Sequence, residues 1–234
     1  MAVPSIILVR PQMGENIGAA ARAMANFGLS DLRLVAPRDG WPNPKASDTA
    51  GKALGIVDDA VAYEHVDAAL ADRQFVLATT ARARAMNLPV MEMREAMADL
   101  RMRAARGEKC AVMFGPERTG LENEDMALAN AVVTIPVAPE YTSLNIGQAV
   151  VVMAYEWFMG APAEGGEGLP AAPRGELAGL FGQLEAALDE RNFWRVPEKK
   201  EVMWRNIRAT LVRAGLTEQE IATWRGMVKS LTAG

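Results

Sequence analysis

The chain has 234 residues, 50% of them hydrophobic and 23% charged, which is room for one α/β domain of roughly 150 residues plus a smaller module and is not the composition of a disordered chain. A net charge of −4 argues against nonspecific coating of nucleic acid. One cysteine, Cys110, and one histidine, His65, exclude an internal disulfide and a Cys/His zinc cluster, so no metal is expected. No apolar run approaches the roughly 18 residues a membrane span requires, and Met1-Ala2-Val3-Pro4 lacks the basic start of a secretion signal, so a cytoplasmic protein without membrane contact is expected.

Short, nearly continuously apolar runs at Ser5 to Val9, Leu32 to Val35, Phe75 to Thr79, Ala111 to Phe114 and Val132 to Val137 read as strands buried on both faces of a parallel sheet. Helical patterns fall between them: Asn16 to Phe27, a looser Ser47 to Leu54, Met93 to Arg106 and Asn145 to Phe158. The alternation means βαβ units and a doubly wound α/β domain over residues 1–160. A Gly/Pro-dense stretch follows and is read as a linker over 161–173. Beyond it, 174–234 reads as helix only: Glu176 to Glu190, Pro197 to Arg213 and Glu218 to Leu231, the last opened by a Thr217-Glu220 capping-box spacing.

Such a sheet usually binds a nucleotide-like ligand beyond the carboxyl ends of its strands. The turn Arg10-Pro11-Gln12-Met13-Gly14-Glu15-Asn16-Ile17-Gly18 lacks the G-x-G-x-x-G fingerprint, and no P-loop sequence occurs, which speaks against nicotinamide, nucleotide-sugar and P-loop chemistry. Three other segments can carry chemistry. In the first, Asn16 to Gly28, Asn16 reads as the helix cap, Gly28 as its end, and Gly18 with its alanines as a close approach to the sheet. Arg22, six residues on, reads as reaching the same neighbourhood as Asn16, the ordinary alternative being a solvated cation. In the second, Phe114-Gly115-Pro116-Glu117-Arg118-Thr119-Gly120-Leu121, two glycines let a loop bend tightly around a Glu-Arg pair, as a plain turn also would. In the third, Ile135 to Val150, a strand ends at a proline and Ser143 and Asn145 stand where a helix begins, fit for a polar ligand or for simple capping.

In this order and at these distances the three segments resemble the motifs of the SpoU/TrmH family of the SPOUT superfamily, over residues 5 to 159. The carboxy-terminal helices, with Asn192-Phe193-Trp194, Trp204 and Trp224, look like those of its TrmJ branch, some members of which carry a basic residue where Pro116 stands here. The resemblance implies a parallel sheet with a carboxy-terminal trefoil knot, followed by a small all-α module. It implies an S-adenosylmethionine-dependent ribose 2′-O-methyltransferase acting on nucleotide 32 of the tRNA anticodon loop, with rRNA or another tRNA position as the alternative substrate. A non-catalytic RNA-binding protein is the alternative of a different class.

By the same resemblance Asn16, Arg22, Glu117, Ser143 and Asn145 are the catalytic set. Arg22 is read as a phosphate anchor rather than a base, because a guanidinium keeps its proton. The cofactor lies among Thr79, Thr80 and Ala81, then Phe114, Gly115, Glu117 and Gly120, then Ile135, Val137, Ser143 and Leu144. The resemblance also implies a homodimer in which Arg22 serves the neighbouring pocket. For the RNA, the residues themselves offer nine Lys/Arg against four carboxylates between Arg191 and Lys229, interleaved with Phe193, Trp194, Trp204 and Trp224. A packed amphipathic helical pair would carry the same residues.

Overall fold

The computed structural model describes residues 3–80, 88–138, 140, 144–160 and 169–232. Among the described residues seven strands form one parallel sheet: β1 (Ser5–Val9), β2 (Leu32–Val35), β3 (Val61–Tyr63), β4 (Phe75–Thr79), β5 (Val90–Glu92), β6 (Cys110–Phe114) and β7 (Ala131–Thr134). Their order is β3-β2-β1-β6-β4-β7-β5, so the chain first winds outward from β1 and then restarts on its other side. Where the winding reverses, the loops beyond the strand ends diverge and leave room for a ligand.

The strands lack polar alternation because both faces are covered. Ile6 and Leu8 of β1 enter one core with Phe75, Leu77, Val112 and Phe114, while Ile7 and Val9 point into a second core with Val76, Ala78, Ala111 and Met113. Helices α1 (Gly14–Asn26), α2 (Pro44–Ala50), α3 (Leu54–Asp58), α5 (Met93–Ala105) and α7 (Ile146–Met159) supply the first core. Helices α4 (Val66–Leu70) and α6 (Asn123–Met126) supply the second. Three further helices, α8 (Arg174–Glu190), α9 (Lys200–Ala214) and α10 (Glu218–Thr232), share a core of their own around Leu177, Leu180, Leu211, Val212 and Ile221.

Several expected boundaries move. The strand expected to run to Val137 stops at Thr134, as Pro136 cannot donate to a ladder. The looser helix from Ser47 starts at Pro44, breaks through a 3₁₀ turn at Gly51–Ala53 and resumes as α3. Strands β3 and β5, three residues each with Val61 and Val90 more than half exposed, are edge strands too short to stand out in the sequence.

The helical module sits against the second face of the sheet. The first amides of α8 are capped from outside it: Arg174 N–H donates to Arg73 O (3.1 Å) and Gly175 N–H to Ala71 O (2.8 Å). Asn130 joins three elements, its Oδ1 accepting from Val76 N–H (2.9 Å) and from the Arg174 guanidinium, its Nδ2 donating to Val212 O (3.0 Å). Burial of the Arg174 guanidinium there lowers its pKa to about 10. Beneath, Arg73 and Arg33 bridge Asp31 and Asp72 at the amino ends of the strands, opposite the ligand side.

Candidate active site

The strand ends of β1, β4, β6 and β7 deliver the candidate residues to one edge of the sheet, and α1 and α7 close over it. Asn16 does not cap α1. The helix starts two residues earlier, with Met13 in extended backbone as its cap, which leaves the Asn16 side chain free for tertiary work inside the first turn. Its Nδ2 donates to Glu117 Oε1 at 2.5 Å, and its Oδ1 accepts from Asn145 Nδ2 at 2.9 Å. The other Glu117 oxygen accepts from Gln12 N–H at 3.1 Å.

Asn145 divides its amide between two duties. As the cap of α7 its Oδ1 accepts from Gly147 N–H (2.8 Å), while Gln148 Oε1 accepts from its own N–H (3.1 Å), a capping box. That leaves Nδ2 for Asn16. One residue from each of the three segments therefore meets in a single chain of hydrogen bonds.

The glycines explain how the helices come so close. A Cβ on Gly18 would lie 2.4 Å from Ala46 O, so this glycine serves the contact of α1 with α2 rather than with the sheet as expected. A Cβ on Gly147 would meet Ala19 Cβ at 3.0 Å, where α7 crosses α1. Gly28, at φ +71°, does end α1, with Leu29 N–H returning to Met24 O at 3.0 Å.

The second segment closes on itself. A Cβ on Gly115 would fall 2.2 Å from Leu121 N, and Gly120, at φ +68°, donates its N–H to Pro116 O at 2.8 Å. Phe114 is buried beneath, and Thr79 Oγ1 donates to Met113 O at 2.9 Å, while Thr80 N–H donates to Val133 O. Ile135 and Leu144 are half-buried and Val137 exposed, on the strand-to-helix passage after β7. Ala81 and Ser143 lie outside the described residues.

Arg22 is not brought to this group. It is exposed and, among the described residues, makes no hydrogen bond or ion pair. Six residues at about 100° each turn it roughly 120° around α1 from Asn16, so sequence proximity did not make them neighbours. Arg10 and Asp125, not singled out by the sequence, stand beside the group: the Arg10 guanidinium binds both Asp125 oxygens and lies 3.6 Å from Glu122. Burial weakens the Arg10 charge, but the hydrogen bond and negative charge of Asp125 outweigh it and raise its pKa. Partners 115 positions apart leave no local signal. The Asn145-Gln148 spacing, by contrast, was readable as a capping box.

In the helical module Trp194 and Trp204 are half-buried, linked at 6.4 Å and continued by Phe181, as a packed helical pair requires. Phe193 (44%) and Trp224 (39%) are exposed. Lys200 pairs with Asp189, Arg205 with Glu124 and Arg208 with Asp67, the last two tying the module to the sheet domain. Arg195, Lys199 and Lys229 make no ion pair among the described residues. Cys110 is buried with its thiol pushed up to about 12, and His65 is exposed just before α4; neither has a part in the site. Among the described residues no cluster of His, Cys, Asp and Glu could hold a metal ion, and no helix is long and apolar enough to cross a membrane.

Residues 4–155 match the SpoU rRNA Methylase family. The chain belongs to that family. Its SpoU relatives include a tRNA (cytidine/uridine-2′-O-)-methyltransferase TrmJ from Cronobacter sakazakii, 34% identical over 97% of this chain and 94% of the relative. The crystal structure of TrmJ from Z. mobilis ZM4 is similar at TM-score 0.90 and 45% identity, covering 98% of this chain and 99% of that one. The SpoU methyltransferase AviRb from Streptomyces viridochromogenes, described in complex with AdoMet, shares the fold at TM-score 0.51 and 19% identity over 66% of this chain.

Proposed function

We propose that this protein is an S-adenosylmethionine-dependent RNA ribose 2′-O-methyltransferase acting on tRNA, at nucleotide 32 of the anticodon loop. The observation that carries the reading is the Glu117–Asn16–Asn145 hydrogen-bond chain, which joins the three family segments where the sheet winding reverses. The tRNA assignment rests on relatives that match nearly the whole chain, helical module included, and are named for that activity.

The site residues suit the cofactor. The self-closed Gly115–Leu121 loop offers backbone groups with no Cβ at Gly115 to obstruct them, and Thr79 and Thr80 are held by the neighbouring strands. Thr79, Thr80, Ala81, Phe114, Gly115, Glu117, Gly120, Ile135, Val137, Ser143 and Leu144 would hold it. S-adenosylmethionine supplies an electrophilic methyl group on a sulfonium.

The chain's own residues then position the ribose hydroxyl. Both Glu117 oxygens already accept a hydrogen bond, and Asn16 and Asn145 are neutral amides, so the three orient rather than deprotonate. Positioning of this kind can supply up to about 7–11 kcal/mol of barrier reduction. Arg22, cationic, exposed on α1 and without an ion pair among the described residues, anchors an RNA phosphate.

In this reading the enzyme is a homodimer, and Arg22 completes the pocket of the second copy. Supporting this, Phe27 meets Tyr155 edge-on and Phe158 at a tilt, and Tyr155, Phe158 and Met159 of α7 present an exposed apolar face. A trefoil knot fits an order in which β6 and β7 enter between strands laid down earlier. Residues 1–160 form the methyltransferase domain, 161–173 the linker and 174–234 the RNA-binding module, and the protein works in the cytoplasm. The experiment is methyl transfer to tRNA transcripts: labelling is expected to vanish when the acceptor nucleotide is 2′-deoxy, and persistent labelling would mean base methylation.

A further inference from the structure

The residue that leaves β1 is held in an unusual conformation. Arg10 has φ +48°, the left-handed region that side chains with a Cβ avoid, and its N–H extends the sheet by one bond to Val35 O at 2.8 Å. Glycine would suit that backbone better; the chain keeps an arginine there. Its guanidinium clasps Asp125, with Nη1 3.3 Å from Oδ1 and Nη2 closer still to Oδ2. The Asp125 side chain is 6% exposed, and its Oδ2 also accepts from Glu122 N–H at 2.9 Å, which fixes the first turn of α6.

Two residues after Arg10, Gln12 N–H donates to Glu117 Oε2. One short turn thus grips the 115–125 segment at two places, Glu117 near its start and Asp125 at its end. The self-closed Gly115–Leu121 loop begins two residues before the first grip and ends four before the second. We propose that Arg10 is a positioning residue: its grip on Asp125 holds the Gly115–Leu121 loop in the shape that receives the cofactor. The inference rests on the proposed reading of that loop as a cofactor loop. A backbone penalty tolerated at a residue whose side chain reaches across to a second loop is what such a role requires.

The test is Arg10→Gly, which relieves the backbone conformation while removing the grip. Expected are a tenfold or greater rise in the S-adenosylhomocysteine Kd by calorimetry, an unchanged KM for tRNA, and at least tenfold faster exchange of the Gly120 amide. Arg10→Lys, with a single cationic head, recovers part of the affinity. Asp125→Asn weakens binding as Arg10→Gly does, and the double variant is no weaker than either, because both remove one contact. Asp72→Ala, which loosens the opposite edge of the sheet, leaves the Kd unchanged and controls for general destabilisation. A Kd for Arg10→Gly within twofold of the wild type, additive losses in the double variant, or an equal effect of Asp72→Ala each overturns the proposal. Wild-type protein that binds no S-adenosylhomocysteine overturns the cofactor reading instead; the grip is then judged by Gly120 exchange alone, and unchanged exchange overturns it.

Discussion

The side-chain amide of Asn145 donates to that of Asn16 at 2.9 Å across 129 positions of sequence. Neither amide is spare. Asn145 caps its own helix with its oxygen, and Asn16 passes the connection on to Glu117 with its nitrogen. A change at Asn16 therefore reaches both neighbouring segments at once.

Asn16→Asp keeps the shape but turns the donor toward Glu117 into a second carboxylate. Like charges at hydrogen-bond distance repel, and the Glu117 oxygen loses its donor. We expect methyl transfer to fall about 10²–10³-fold and unfolding stability by about 1–3 kcal/mol, read by tRNA labelling and urea denaturation.

Gly115→Ala places a methyl group 2.2 Å from Leu121 N, so the loop must open. The expected result separates local from global effects: S-adenosylhomocysteine affinity drops sharply, while stability falls by only about 1–3 kcal/mol. An affinity equal to that of the wild type would show that the closed loop is not the cofactor's.

Arg22→Ala and Asn145→Ala are each expected to be inactive. Dissociated and reassociated together, they restore roughly a quarter of wild-type activity if Arg22 serves the second copy, since half the dimers are mixed and each has one intact pocket of two. If Arg22 acts within its own chain, no recovery occurs although the subunits exchange.

Arg195→Ala with Lys199→Ala removes two exposed cations from the helical module. Weaker tRNA binding is expected, with a shallower dependence on salt, by about one unit of slope for each lost phosphate contact, and unchanged S-adenosylhomocysteine affinity. An unaltered salt dependence would leave the cations as a solvated surface.

The buried thiol of Cys110 is pushed from 9.0 to about 12, mainly by desolvation. A folded pKa above the unfolded one favours the native state below pH 9 and loses that advantage as pH rises from about 9 to about 12. Stability should decline there by about 1.4 kcal/mol per pH unit from this group, and Cys110→Ala should flatten the decline. At neutral pH the native thiol should resist alkylation.

The five longer strands were legible because two-sided burial leaves a nearly unbroken apolar run, as in Ile6 to Val9. Strands β3 and β5 were not, because edge strands of three half-exposed residues obey no pattern. Asn16, Glu117 and Asn145 were singled out through the resemblance of their segments to a family, since residue type and spacing alone fit caps and a plain turn, and their bonding was not legible: capping is a local rule, and the rule wrongly assigned Asn16 to a helix end that Met13 occupies. Arg10–Asp125 and the seat of α8 on Ala71 and Arg73 join distant positions through geometry alone. Composition overstated the basic character of the helical module, because three of its cations are spent on carboxylates.

Helix α1 is pinned on two sides by Gly18 against α2 and by Ala19 against Gly147. This gives each of its positions a different freedom to vary. A substitution scan should find little tolerance at Gly14, Ile17, Gly18, Ala20, Ala21 and Met24, where any added bulk displaces a neighbour, and none of that pressure at the three exposed positions, Arg22, Ala25 and Asn26. Among the described residues, packing gives no reason to keep an arginine at 22. Intolerance found there would have to come from something other than contacts among the described residues, and the scan would reveal it without a bound RNA or a second copy in view.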